Sequence, residues 1–114
     1  MKKILIILVL IYSSSGYADV AYELQGMVGW TIVETKMITA FREPGQEKRS
    51  GFEGCNGDTL IYFADGARAK CMSLGLQLSL MPTAVIFGKQ TIYKGKKMNM
   101  YRMLVENEMY DIYF

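Results

Sequence analysis

The sequence predicts an all-β fold, a small single-domain barrel or sandwich of about six to eight short strands held by one disulfide. Three observations carry this expectation. Asp65-Gly66 separates TLIYF from ARAKC, and a glycine after aspartate accepts the positive φ of a tight hairpin turn. Met72, Leu74, Leu76, Leu78 and Leu80 interleave with Ser73, Gly75, Gln77 and Ser79, a period of two sustained from Met72 to Leu80. The two cysteines of the chain, Cys55 and Cys71, bracket the hairpin and are expected to staple it.

Ahead of the domain, Met1-Lys2-Lys3 precedes an apolar run from Ile4 to Tyr12 and the small residues Gly16 and Ala18. A basic end, a short apolar core and small residues are the parts of a secretory signal peptide. Residues 1–18 are therefore expected to be removed and residues 19–114 to form a single β domain, periplasmic or secreted. The apolar run is about half of the ~20 residues that a membrane-spanning helix needs, so no span is expected after cleavage. An exported chain meets an oxidising compartment, and Cys55 and Cys71 lack the spacing of a redox-active pair, so a structural disulfide is the expected state.

From Val20 the chain reads as strands, with no helix start or stop. Met27 to Phe41 is rich in Val, Ile, Thr and Trp and carries apolar residues on both parities, which predicts a long central strand bent near Gly29. Pro44-Gly45 supplies a turn, and Gln46 to Ser50 is polar and expected to be exposed. In the hairpin, a three-residue turn sets Ile61 and Phe63 opposite Ala69 and Ala67 on the inside, whereas a two-residue turn reverses the faces. Three residues is the preferred reading. The Met72 to Leu80 alternation predicts a half-buried strand whose leucines suit a barrel interior. Ala84 to Phe87 reads as a short apolar strand bounded by Pro82 and Gly88. Thr91 to Lys94, Met98 to Val105 and Met109 to Phe114 complete the set, with breaks at Gly95 and Glu106-Asn107-Glu108.

The full chain is formally +2, but removing Lys2 and Lys3 leaves eleven basic and eleven acidic residues. A neutral domain lacks the basic excess of a nucleic-acid binder. One local imbalance remains: Lys89, Lys94, Lys96, Lys97 and Arg102 form an acid-free segment. The chain has no histidine, which removes Ser-His-Asp and Cys-His catalysis and most zinc and copper(II) sites. Glu106 and Glu108 would share a strand face, as a glycosidase pair could, but they fall in an expected turn with no evident cleft.

The run Phe52-Glu53-Gly54-Cys55, then Ile61-x-Phe63-x-Asp65-Gly66, Cys71 and Pro82-x-Ala84 resembles a family of small exported bacterial proteins. Val105-Glu106-x-Glu108-x-Tyr110-Asp111 fits the same pattern, so the likeness covers roughly Met27 to Ile112. It implies export and the β fold. That family's alternating stretch carries tyrosines where this chain has Leu74, Leu76 and Leu78. The family is uncharacterised, and the resemblance implies no activity.

Two constellations are candidate sites. Met98, Met100 and Met103 offer soft thioether sulfurs that suit Cu(I), but on a regular strand Met103 faces away from the other two, and no metal or other cofactor is expected. Near the C-terminus, Tyr101, Arg102, Tyr110, Tyr113 and Phe114 crowd aromatics beside a guanidinium, the composition of a protein-binding hot spot. The expected function is that of a non-enzymatic module binding an envelope or extracellular protein. Two alternatives stand beside it. One is an inhibitor of a hydrolase such as a lysozyme or protease: exported lysozyme inhibitors are similar in size and β-rich build, and Tyr93-Lys94-Gly95-Lys96 resembles part of them, though their Ser-Gly-x-x-Tyr motif is missing. The other is a Met-rich Cu(I) carrier. Tyr110, Ile112 and Phe114 share one parity, as in the last strand of an outer-membrane barrel, but at least eight strands of about ten residues would be needed.

Overall fold

The computed structural model describes residues 20–114; the signal peptide assigned to residues 1–18 lies outside the described residues. Residues 20–25 form a short helix, α1, which corrects the all-strand reading of this stretch. Ala21, Glu23, Leu24 and Gln25 are sound helix formers, but so short a segment shows no period. Nine strands follow: β1 (Thr31–Arg42), β2 (Arg49–Ser50), β3 (Phe52–Asn56), β4 (Thr59–Phe63), β5 (Arg68–Cys71), β6 (Leu74–Ser79), β7 (Thr83–Tyr93), β8 (Lys96–Val105) and β9 (Glu108–Tyr113).

Six strands close a barrel in the order β1-β4-β5-β9-β8-β7, with β7 pairing back to β1. Every pairing in the ring is antiparallel. β2 adds to β1 outside the ring, and β3 pairs with β6 in a separate two-stranded sheet. The barrel interior is narrow and filled by alternate residues of each wall: Ile61 and Phe63, Ala69 and Cys71, Ala84 and Ile86, Met103 and Val105, Tyr110 and Ile112.

Within the ring, β1 serves two neighbours. Its first half pairs with β7 from Thr31↔Gly88 to Met37↔Thr83, and its second with β4 from Ile38↔Phe63 to Arg42↔Leu60. Register slips between Ile32 and Glu34 and between Ile38 and Ala40 bend the strand within its length, and Gly29 lies in the turn before it. The expected double-sided burial is also corrected. Ile32 and Val33 are exposed, and only Ile38, Ala40 and Phe41 are buried in this strand.

The hairpin has the three-residue turn. Ile61 faces Ala69, and Phe63 N donates to Ala67 O at 3.0 Å. Gly66 takes φ 90°, and Asp65 Oδ1 accepts from Ala67 N at 2.9 Å, an Asx contact that fixes the corner. Cys55 on β3 is bonded to Cys71 on β5, with Cα atoms 5.7 Å apart, so the disulfide ties the two-stranded sheet to the barrel wall. The Pro44-Gly45 turn forms, and Gln46 to Ser50 is exposed throughout.

The limits of β7 differ from the sequence reading. β7 does not stop at Gly88 but continues to Tyr93, because β8 pairs with it without a break from Ala84↔Val105 to Tyr93↔Lys96. β1 reaches only Gly88 and β9 only Tyr101. Beyond that level β7 and β8 form a two-stranded arm, turned by Lys94 (φ 52°) and Gly95 (φ 78°) in the two-residue geometry that matches strand twist. At the other extreme, β5 and β9 meet over only Lys70↔Tyr113 and Cys71↔Ile112.

Candidate functional site

β6 keeps its predicted period and reverses its predicted face. Leu74, Leu76, Leu78 and Leu80 are 78, 84, 77 and 88 % exposed, while Ser73, Gly75, Gln77 and Ser79 turn toward the barrel. The inward side chains are polar because the barrel end they meet is polar. Gln77 Nε2 donates to Val105 O at 3.1 Å, and Gln77 Oε1 accepts from the Tyr110 hydroxyl at 2.7 Å. Ser79 Oγ donates to Glu106 at 2.8 Å, and Ser73 Oγ accepts from Asp111 N at 2.7 Å. A row of leucines there would have left the Tyr110 hydroxyl without its partner, at a cost of about 1–3 kcal/mol for a buried group.

Close packing fixes the sheet against this end. A Cβ on Gly75 would stand 2.8 Å from Tyr110 Cε1, so only glycine lets the ring lie under β6. Gly54 on β3 has φ 94°, and a Cβ there would stand 2.1 Å from Gly75 O. Phe52 packs edge-on to Tyr110 with ring centroids 5.6 Å apart. The inner face is therefore wholly engaged and the outer face carries the leucines. Met72 and Met81 extend the row at 49 and 59 % exposure. Along one side runs an apolar groove of about 640 Å³ lined by Phe52, Glu53, Leu78, Ser79, Leu80 and Met81.

The structure gathers only part of the C-terminal hot-spot candidates: Phe114 packs on Tyr101 and lines one groove with Tyr113, while Tyr110 and Arg102 lie apart from it. Tyr110 is buried in the barrel, which corrects its assignment to a binding surface: its parity on β9 points inward. Burial, and secondarily the charges of Glu108 and Glu106, push its phenol up to about 12. Phe114 packs between Phe63 and Tyr101, with centroids 6.2 and 5.1 Å away. Tyr113 lies on the outer wall opposite Lys70, in a groove of about 700 Å³ that also includes Arg42, Asp58 and Arg68. Arg102 is on another part of the wall. Its Nε donates to Asp111 at 2.7 Å, and its guanidinium lies 4.6 Å from the Trp30 ring centre.

The methionines divide as strand parity requires: Met103 is fully buried, while Met98 and Met100 are exposed on the arm. Glu106 caps the β8–β9 turn with φ 56°, and Glu108 opens β9. Among the described residues no group of three or more His, Cys, Asp or Glu side chains is arranged to hold a metal ion, and no helix is long and apolar enough to cross a membrane. Alternation alone does not say which face of β6 is covered, and Gln77, a long amide in the middle of the polar set, is the sequence signal that could mark that face as the inner one.

No protein-family model, curated protein or solved structure matches the chain.

Proposed function

We propose that the chain is a small exported, non-enzymatic binding domain whose partner is a protein that docks on the leucine row of β6. One observation carries this reading. Leu74, Leu76, Leu78 and Leu80 occupy successive outward positions and are almost fully exposed, on a sheet whose inner face is already engaged. A contiguous apolar patch of this kind on a small domain marks an interaction site. Each leucine that a partner buries contributes about 1.5–3 kcal/mol.

A protein suits the row better than an anionic lipid does, because Glu53 lines the adjoining groove and Glu106 is held by Ser79 on the same strand. β6 also has a paired neighbour on one edge only, so a partner strand could add there, taking affinity from main-chain hydrogen bonds and specificity from the leucines. Export is supported by the basic, apolar and small-residue order of residues 1–18 and by the Cys55–Cys71 bond. The non-enzymatic part rests on a composition without histidine.

Two measurements test the reading. N-terminal sequencing of protein from fractionated cells is expected to start at Asp19 in the exported fraction; a full-length chain in the cytosol overturns export. Crosslinked capture from envelope extract is expected to recover one partner protein with the parent chain and with Tyr113→Ala, and to lose it with Leu76→Ser/Leu78→Ser. A partner retained by the serine variant overturns the leucine reading.

A further inference from the structure

We propose that the outer face of the β7–β8 arm docks on an anionic lipid surface. Side chains alternate along a ribbon, so the pairs Lys89↔Met100, Thr91↔Met98 and Tyr93↔Lys96 share one face. Trp30 belongs to the same face at the base of the arm, since the Lys89 ammonium and the Arg102 guanidinium lie 5.9 and 4.6 Å from its ring centre. Lys94 lies 5.3 Å from the Tyr93 ring centre at the tip. Tyr93, Met98 and Met100 are 60, 48 and 43 % exposed. The face thus interleaves two aromatic rings and two thioethers with lysines.

The charge is what selects the partner. No acidic residue occurs between Asp65 and Glu106, a stretch that includes both strands of the arm. Outside the four arm lysines, residues 19–114 carry seven cations against eleven acidic residues, and four of those seven are in ion pairs: Arg102 with Asp111, Arg49 with Glu53, Lys70 with Asp58, and Lys36 with Glu34 and Asp65. Lys89, Lys94, Lys96 and Lys97 enter none of the ion pairs among the described residues. Residues 19–114 are formally neutral, so the positive field is concentrated on the arm. A plane of phosphates complements a ribbon whose outer face carries Lys89 and Lys96 and whose tip carries Lys94, with Lys97 next to the tip on the other face. Tryptophan and tyrosine settle at the headgroup level of such a plane, and lysine stems extend across apolar surface to reach its phosphates. The inference is independent of the leucine row, which lies on a different strand and is bordered by acidic groups.

Flotation with vesicles of phosphatidylglycerol and phosphatidylethanolamine, against vesicles of phosphatidylcholine alone, tests it. Whatever the state of residues 1–18, they are common to all variants, so differences between variants read the arm. The parent chain is expected to float with anionic vesicles and to be released as salt rises from about 50 to about 500 mM. Replacing Lys89, Lys94, Lys96 and Lys97 by alanine is expected to lower partitioning several hundredfold, at roughly fivefold per lysine. Removing the same charge from the other walls, with Arg42→Ala/Lys48→Ala/Arg49→Ala/Arg68→Ala, is expected to cost less than about tenfold, because these cations act across more than a Debye length. Tyr93→Ser/Met98→Ser/Met100→Ser keeps every charge and is expected to weaken partitioning about tenfold or more. All of these positions are exposed, so each variant should retain the fold, which circular dichroism confirms before flotation. Equal binding to phosphatidylcholine overturns the proposal. So does a lysine variant that floats like the parent, a loss as large from the other walls, or a serine variant indistinguishable from the parent.

Discussion

Tyr110 is 1 % exposed, and its hydroxyl donates to Gln77, so its proton is held by the fold rather than by water. With the phenol pushed up to about 12 in the folded state and titrating near 10 when unfolded, the folded chain binds the extra proton between those values. Stability is therefore unaffected below about pH 10 and falls as pH rises toward about 12, by roughly 3 kcal/mol from this group across the window. Urea midpoints measured from pH 9 to 12 should show that decline, and Tyr110→Phe should flatten it. At neutral pH the same substitution should cost about 1–3 kcal/mol, because the Gln77 carbonyl loses its donor. Gly75→Ala acts on the same ring from outside. Its methyl would lie against Tyr110 Cε1, and a shift of β6 or of the ring should cost about 1–3 kcal/mol in urea unfolding.

β6 gives the sharpest contrast between what its residues say and where they lie. If its leucines filled a core, each truncation would cost about 2–5 kcal/mol. Since they face outward, Leu76→Ser/Leu78→Ser should change stability by no more than about 0.5 kcal/mol per site, read from the urea midpoint. Gln77→Leu, a change toward apolarity, should be the destabilising one, since Tyr110 and Val105 O both lose a partner. The period of β6 was legible because it is a local property of the chain. Its facing was not, because that is decided by hydrogen-bonding groups on β8 and β9, many residues away in sequence. The Asp65-Gly66 corner was legible down to its register, since Asp65 and Gly66 carry their own turn chemistry. Gly88 misled for the opposite reason: a glycine reads as a break, yet a side chain there would crowd Val33 on the neighbouring strand, and Gly88 sits inside a continuous β7. The C-terminal aromatics looked like one cluster because they are near in sequence, but parity sends Tyr110 inward and Tyr113 outward. The acid-free run of lysines was plain in the sequence. That it stands on an arm beyond the barrel depends on where β1 begins and β9 ends.

Across the whole molecule, β8 links the two candidate surfaces. Its ten residues span about 33 Å, from the lysine-rich turn to the end where β6 crosses the barrel. The Cys55–Cys71 bond holds that crossing sheet in place. Without it the β3–β6 pair is a two-stranded ribbon kept by its hydrogen bonds and by Phe52, and such ribbons are marginal alone. Cys71→Ser should therefore cost about 2–5 kcal/mol in urea unfolding, with no free thiol detected in the denatured parent. The last strand of the chain, β9, lies between β5 and β8, and the ring is closed only with β9 in place. Without it the other five strands would form an open sheet with free margins at β5 and β8. Yet β9 is fastened to β5 by only two residue pairs. That seam is where the finished ring should breathe, and amide hydrogens at Lys70 and Tyr113 should exchange ahead of those along the long β7–β8 ladder.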